Sequence, residues 1–197
     1  MKIGLTGGIG SGKSMVAQIL EKMGYPVFYA DDAAKHLWAT DLELQGQLTQ
    51  LVGFEVFREG ILQKELLAKW IFSNENHRNL VNQLIHPRVR NAFDAWALKQ
   101  SKHTVFNEAA ILFETEAYRR FDKTILVTAP EQLKMKRIQE RDQLAIPEIQ
   151  KRMAVQWSDE QKSKLADFII INDEQSFLVP QIERMLQSFY LEKNDSF

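Results

Sequence analysis

The sequence predicts an α/β fold, a doubly wound parallel sheet of five strands, and three observations carry that prediction. Short apolar runs of strand length alternate with stretches of helical periodicity, the pattern of strands covered on both faces by crossover helices. Residues 7 to 14 read Gly-Gly-Ile-Gly-Ser-Gly-Lys-Ser, a complete G-x-x-x-x-G-K-[ST] phosphate loop directly after the apolar Ile3-Gly4-Leu5. Four fixed positions of this kind match by chance in only about one per cent of chains this long. After Lys13 the residues Val16, Ile19, Leu20 and Met23 form an amphipathic stripe, so the loop joins a strand to a helix, as the motif requires.

The remaining elements follow in order. The first helix is expected to stop at Gly24, a C′ residue, and Pro26 leads into a second strand, Val27 to Ala30, with Asp31 and Asp32 at its carboxyl end. From Ala33 to about residue 102 the pattern is mostly helical, punctuated at Thr40-Asp41, Gly53, Gly60 and Ser73-Asn74, with Val89, Ala92, Phe93 and Trp96 on one stripe. The third strand is expected at His103 to Asn107, the fourth at Lys123 to Thr128 and the fifth at Phe168 to Ile171. Helices are expected over 131 to 141 after Pro130, and over 147 to 157, where Pro147 suits the first helical position. A last helix places Ile182, Met185, Leu186 and Phe189 on one face, and residues 192 to 197 read as a frayed end.

One crossover does not need seventy residues of helix, so a helical substrate-binding insertion over about 35 to 102 is expected. The whole chain then reads as one domain, with a core of 1 to 34, 103 to 130 and 165 to 197 and a helical lid over about 131 to 160.

Twenty-five Lys and Arg stand against 26 Asp and Glu among 197 residues, so bulk charge suggests neither a nucleic-acid nor a membrane partner. The absence of cysteine excludes disulfides, thiolate metal sites and Cys nucleophiles, and suits a reducing compartment. No apolar run approaches membrane-spanning length and the first strand starts at once, so a cytoplasmic protein, monomeric or weakly self-associating, is expected.

The loop defines the chemistry. Its glycines let backbone N–H groups of Gly8, Ile9, Gly10, Ser11 and Gly12 point inward around a polyphosphate, and the helix start at Lys13, Ser14 and Met15 adds unsatisfied donors. Lys13 is placed to reach the β- and γ-phosphates of ATP, and the Ser14 hydroxyl to bind Mg²⁺. No Asn-Lys-x-Asp or Asp-x-x-Gly element is present, so a guanine-nucleotide switch is not indicated. Asp31, at a strand end beside the loop strand's helix, is the candidate base for an acceptor hydroxyl; Asp32 reads as a capping or solvated group. Lys134, Arg137 and Arg141 share a helix face whose like charges need anionic partners, either Glu131, Glu140 and Asp142 or the phosphates under an arginine lid.

These residues resemble the dephospho-coenzyme A kinase family, from about Lys2 to Leu186. The resemblance lies in Gly4-Leu5-Thr6 continuing into the loop, Ala30-Asp31, His86-Pro87, Leu112-Phe113-Glu114, Arg137, Arg141-Asp142, Arg152, Gln156, Lys162, Ala166-Asp167 and Asn172. It implies a P-loop NTPase fold of the nucleoside-monophosphate-kinase type. It also implies transfer of the γ-phosphoryl of ATP, with Mg²⁺, to the ribose 3′-hydroxyl of dephospho-CoA, the last step of CoA synthesis. On that reading Asp31, Lys13, Arg137 and Arg141 are catalytic, Asn172 joins the ATP site, and His86, Leu112 and Glu114 face the substrate. Tyr29 stands where the family carries a first Asp, Ala110-Ile111 replaces Pro-Leu, and Met15 replaces a common Thr. The residues alone leave open a kinase of a nucleoside monophosphate or small hydroxylated metabolite, or a non-catalytic ATP-gated module. Trp38, Trp70, Trp96 and Trp157 read as packing groups.

Overall fold

A computed structural model describes residues 1–194, apart from the side chains of Phe72, Glu75 and residues 190–194. Two compact units divide the chain: Met1–Phe28 with Gln100–Phe197, and Tyr29–Lys99.

The first unit is built on a five-stranded sheet of order β2-β5-β1-β6-β7. The strands are β1 (Lys2–Thr6), β2 (Val27–Tyr29), β5 (Val105–Glu108), β6 (Lys123–Thr128) and β7 (Phe168–Ile171). β1 pairs in parallel with β5 and β6, and β6 with β7, so the loop strand lies at the centre. Ile3, Leu5, Phe106, Ile125, Leu126 and Val127 are fully buried, or nearly so, which is why these runs are apolar without alternation. α1 (Lys13–Lys22) buries Val16, Ala17 and Leu20 and ends in a Schellman turn: Tyr25 N–H donates to Leu20 O and Gly24 N–H to Glu21 O. α9 (Leu178–Asn194) packs on β7 and α1 through Ile182, Met185, Leu186 and Phe189, the expected face. The helix runs to Asn194, past the expected fraying at 192; residues 195–197 lie outside the described residues. Gln181 of α9 exchanges two hydrogen bonds of 2.9 Å with the backbone of Ile171, satisfying the end of edge strand β7.

Between β6 and β7 come α6 (Glu131–Asp142), α7 (Ile146–Ala154) and α8 (Asp159–Ser163). α7 stops three residues short of the expected end, and Ser158 with Gln161 closes a capping box that starts α8 instead.

The second unit holds α2 (Ala30–Thr40), α3 (Leu42–Val52), β3 (Phe57–Arg58), β4 (Ile61–Leu62), α4 (Lys64–Ser73) and α5 (Glu75–Ala97). Leu48, Val52, Val56, Phe57, Leu67 and Val81 form its core, with Trp38 and Trp70 packed against them. The stretch is mostly helical, as expected, and one short hairpin interrupts it: Phe57 pairs with Leu62 and Arg58 with Ile61 around Glu59-Gly60, both at positive φ, a two-residue turn. One expectation needs correction here. The second strand ends at Tyr29, so Ala30, Asp31 and Asp32 form the first turn of α2, where carboxylates complement the helix dipole. His86-Pro87 lies in the interior of the 23-residue α5. Pro87 carries no N–H, so the Gln83 carbonyl has no partner there within the helix.

Candidate active site

The phosphate loop is braced from below by residues far away in sequence. Gly12 has φ 88°, and a Cβ on it would stand 2.0 Å from Asn172 Nδ2, so the position admits only glycine. Gly10, at φ 79°, meets the Lys134 carbonyl at 2.6 Å in the same way, which lets α6 lie directly on the loop. Asn172 Nδ2 donates to Ser11 O at 2.9 Å. Arg137 Nη2 donates to Asn172 O at 3.2 Å and to Asn172 Oδ1 at 3.3 Å, and it pairs with Glu174 at 3.2 Å. Its Nη1 lies at the reach limit from Gly10 O, 3.4 Å, and Ser11 O, 3.5 Å. Asn172, buried, therefore supports the loop from beneath, and Arg137 ties that support to the loop carbonyls.

Lys13 lies 3.3 Å from Glu108, a buried carboxylate at the carboxyl end of β5. The strand runs one residue past its expected end at Asn107, which puts Glu108 at the carboxyl strand end where ligands gather. Ser14 and Met15 are exposed on the first turn of α1. Ile9 N–H donates to Gln156 Oε1 at 2.8 Å, so a side chain from the segment between α7 and α8 reaches the loop.

The cationic face of α6 finds separate partners. Lys134 binds Asp159, Arg137 binds Glu174, and Arg141 makes a two-pronged bond to Asp142, Nε to Oδ1 at 2.7 Å and Nη2 to Oδ2 at 2.9 Å. That hydrogen bond holds the Asp142 carboxyl below its ordinary range, with Arg152 also nearby at 3.6 Å. Arg141 thus points along the helix surface to its neighbour, whereas Arg137 points to the loop. Asp173, beyond Asn172, accepts backbone N–H bonds from Ser176 and Gln175, which depress its carboxyl too.

Leu112 is buried, and Glu114 Oε1 takes the Trp157 N–H at 3.1 Å and stands 2.9 Å from Lys162 Nζ. Trp157 is 41% exposed, so it is not the packing group expected of it. The other two candidates lie on the second unit. Asp31 is exposed in the first turn of α2, and Asp32 beside it forms an exposed pair with Lys35 at 2.7 Å. His86 is half-buried on α5, and burial, then the charge of Arg90, pushes its imidazole below its ordinary value.

The model of the dephospho-CoA kinase family matches residues 1–177. The chain belongs to the dephospho-CoA kinase family. A dephospho-CoA kinase of Bacteroides fragilis is 42% identical over 191 residues, covering 96% of this chain and 93% of that protein. A Thermus thermophilus protein of known structure superposes with a TM-score of 0.83 at 31% identity, over 98% of this chain and 97% of its own. The dephospho-CoA kinase of Campylobacter jejuni, 27% identical, superposes with a TM-score of 0.66 over 99% of this chain and all of its own. Family membership makes the chain an ATP-using kinase and argues against the non-catalytic module. Among the described residues no helix is long and apolar enough to cross a membrane.

Proposed function

We propose that this chain phosphorylates the ribose 3′-hydroxyl of dephospho-CoA with ATP, giving CoA and ADP, in the cytoplasm. The family match over residues 1–177 carries this reading, and the braced phosphate loop supports it. The loop amides and Lys13 hold the β- and γ-phosphates, and Lys13 exchanges part of its contact with Glu108 for them. Near Gly12, Met15, Arg137 and Asn172 a cleft of about 830 Å³, continued by apolar Phe177 and Leu178, suits the adenine end.

Among the described residues no three His, Cys, Asp or Glu side chains converge as a metal cage. A lone exposed hydroxyl suits Mg²⁺, which keeps several waters and takes phosphate oxygens, so Ser14 is the ligand this chain offers. An ion held at Ser14 would supply positive charge that offsets the charge of the transferring phosphate.

Asp31 accepts the proton of the 3′-hydroxyl as its oxygen bonds to the γ-phosphorus. The bond from that phosphorus to the bridging oxygen breaks, and ADP leaves with the electron pair. Arg137 contributes positive charge beside the loop, and Arg141 joins by exchanging Asp142 for phosphate. His86, Leu112 and Glu114 belong to the acceptor side. The lid must keep water from the γ-phosphate, since otherwise ATP would be hydrolysed.

Mg²⁺-dependent ADP release with dephospho-CoA, AMP, CMP and shikimate as acceptors tests the reading, repeated with Asp31→Asn. Dephospho-CoA should stand out, and Asp31→Asn should abolish most of that turnover while ATP still binds. Equal rates with every acceptor would sink it.

A further inference from the structure

Two clefts of the first unit flank the phosphate loop. The more apolar one adjoins Gly12 and Met15; the other, about 730 Å³, adjoins Gly8 and Ile9 and is lined by Lys134, Gln156 and Asp159. With the base in the first, the phosphate chain runs along the loop and its terminal phosphate falls at the Gly8–Ile9 end. There, two groups that attract anions are already engaged by oxygens of the lid. Ile9 N–H donates to Gln156 Oε1 at 2.8 Å. Lys134 Nζ donates to Asp159 Oδ2, an oxygen that also accepts the Thr128 hydroxyl. The Lys134 side chain is only 9% exposed. Its Nζ stands 3.5 Å from the point a Cβ on Gly8 would occupy, so the ammonium lies over the loop itself.

We propose that Lys134 is a ligand of the γ-phosphate of ATP, and that Gln156 and Asp159 place oxygens where phosphate oxygens sit when nucleotide is bound. This rests on the reading of the loop as the ATP phosphate site. A nearly buried ion pair is weak as a stabilising device, because desolvation offsets its attraction, and an apolar pair would pack as well. Such a pair at the mouth of a cleft, aimed at an anion-binding loop, serves binding. Asp159 can release its partner: its side chain is 23% exposed and keeps the Thr128 hydroxyl. Lys134 is therefore held extended over the loop before the nucleotide arrives, and the exchange of one anion for another costs little reorganisation.

Calorimetric titration of the full chain with MgADP and with a non-hydrolysable MgATP analogue tests this. Lys134→Met should weaken the analogue about tenfold, the loss of one charge-assisted contact, and change ADP by less than about twofold. Lys134→Arg should recover part of the difference. Asp159→Asn should tighten the analogue, because the competing carboxylate is gone. Should Lys134→Met fold poorly around an unpaired Asp159, the double variant Lys134→Met with Asp159→Asn removes both charges and should keep the analogue-specific loss. Equal weakening of both nucleotides, or full recovery of analogue binding in the double variant, would overturn the proposal and reduce Lys134 to a counter-ion. Wild-type protein that bound neither nucleotide would overturn the ATP reading itself, and this inference with it.

Discussion

Glu114 and Lys162 approach to 2.9 Å, and the lysine side chain is completely buried. The contact is charge to charge, without the alignment of a hydrogen bond at Nζ, while the same Glu114 oxygen accepts the Trp157 N–H. This pair holds the chain between α7 and α8, one residue after Gln156 reaches Ile9.

Removing one partner leaves a buried charge alone. Lys162→Met should therefore cost about 3–5 kcal/mol of stability, and the double variant with Glu114→Leu should recover most of it. Urea denaturation of the two single variants and the double variant checks the coupling; additive losses would show that the pair does not interact.

Arg137 should matter for rate more than for folding. Its guanidinium is forked between Asn172, Glu174 and the loop carbonyls, a geometry that the point charge of lysine cannot reproduce. Arg137→Lys should lower kcat about 10²-fold, the order seen when one transition-state donor is removed, with KM for ATP changed much less. Steady-state kinetics with dephospho-CoA as acceptor decides it. Arg141→Lys, at a residue now bound to Asp142, should have the smaller effect.

The sheet and the loop were legible because both are local signals: apolar runs at Ile3, Val105, Ile125 and Ile169, and eight consecutive loop residues. The hairpin at Phe57–Leu62 was not, since two-residue strands leave no period to read, and only the Glu59-Gly60 pair marks it. The α6 face was legible as a charge problem, and Asp142 was legible as a partner, the one Arg141 takes, but the partners of Lys134 and Arg137 were not. Lys134 and Asp159 are 25 residues apart, Arg137 and Glu174 are 37 apart, and only the packing of α6 on the loop brings them together. Asp31 was placed one element early because the apolar Ala30 opens a helix as readily as it ends a strand.

Asp41 joins two helices of the second unit. It caps α3 by accepting Leu44 N–H at 2.9 Å and binds Arg88 Nε of α5 at 3.0 Å. The Leu44 N–H, then the Arg88 guanidinium, hold its carboxyl below its ordinary value. A depressed carboxylate stabilises the fold fully above its unfolded pKa, and that contribution disappears as pH falls through the folded value. Asp41→Asn should thus be less stable than wild type at pH 7, and the gap should close on acidification below about pH 4. Thermal melts across that range test it; a gap independent of pH would mean that the charge of Asp41 contributes nothing to stability.

His86 should be neutral at physiological pH in the absence of ligand. Burial lowers its pKa, with the Arg90 charge acting in the same direction, so the protonated form is disfavoured in the folded chain. The unfolded chain binds the proton more readily, so this linkage leaves stability intact above about pH 6.5 and erodes it as pH falls from there through the folded pKa. An NMR titration of the imidazole resonances should give a midpoint below that of a free histidine. If His86 meets an anionic part of the acceptor, the same titration with dephospho-CoA present should move the midpoint up, because a nearby phosphate favours the imidazolium. An unmoved midpoint at saturating dephospho-CoA would remove His86 from the acceptor site and leave it as a packing residue of α5 beside its proline.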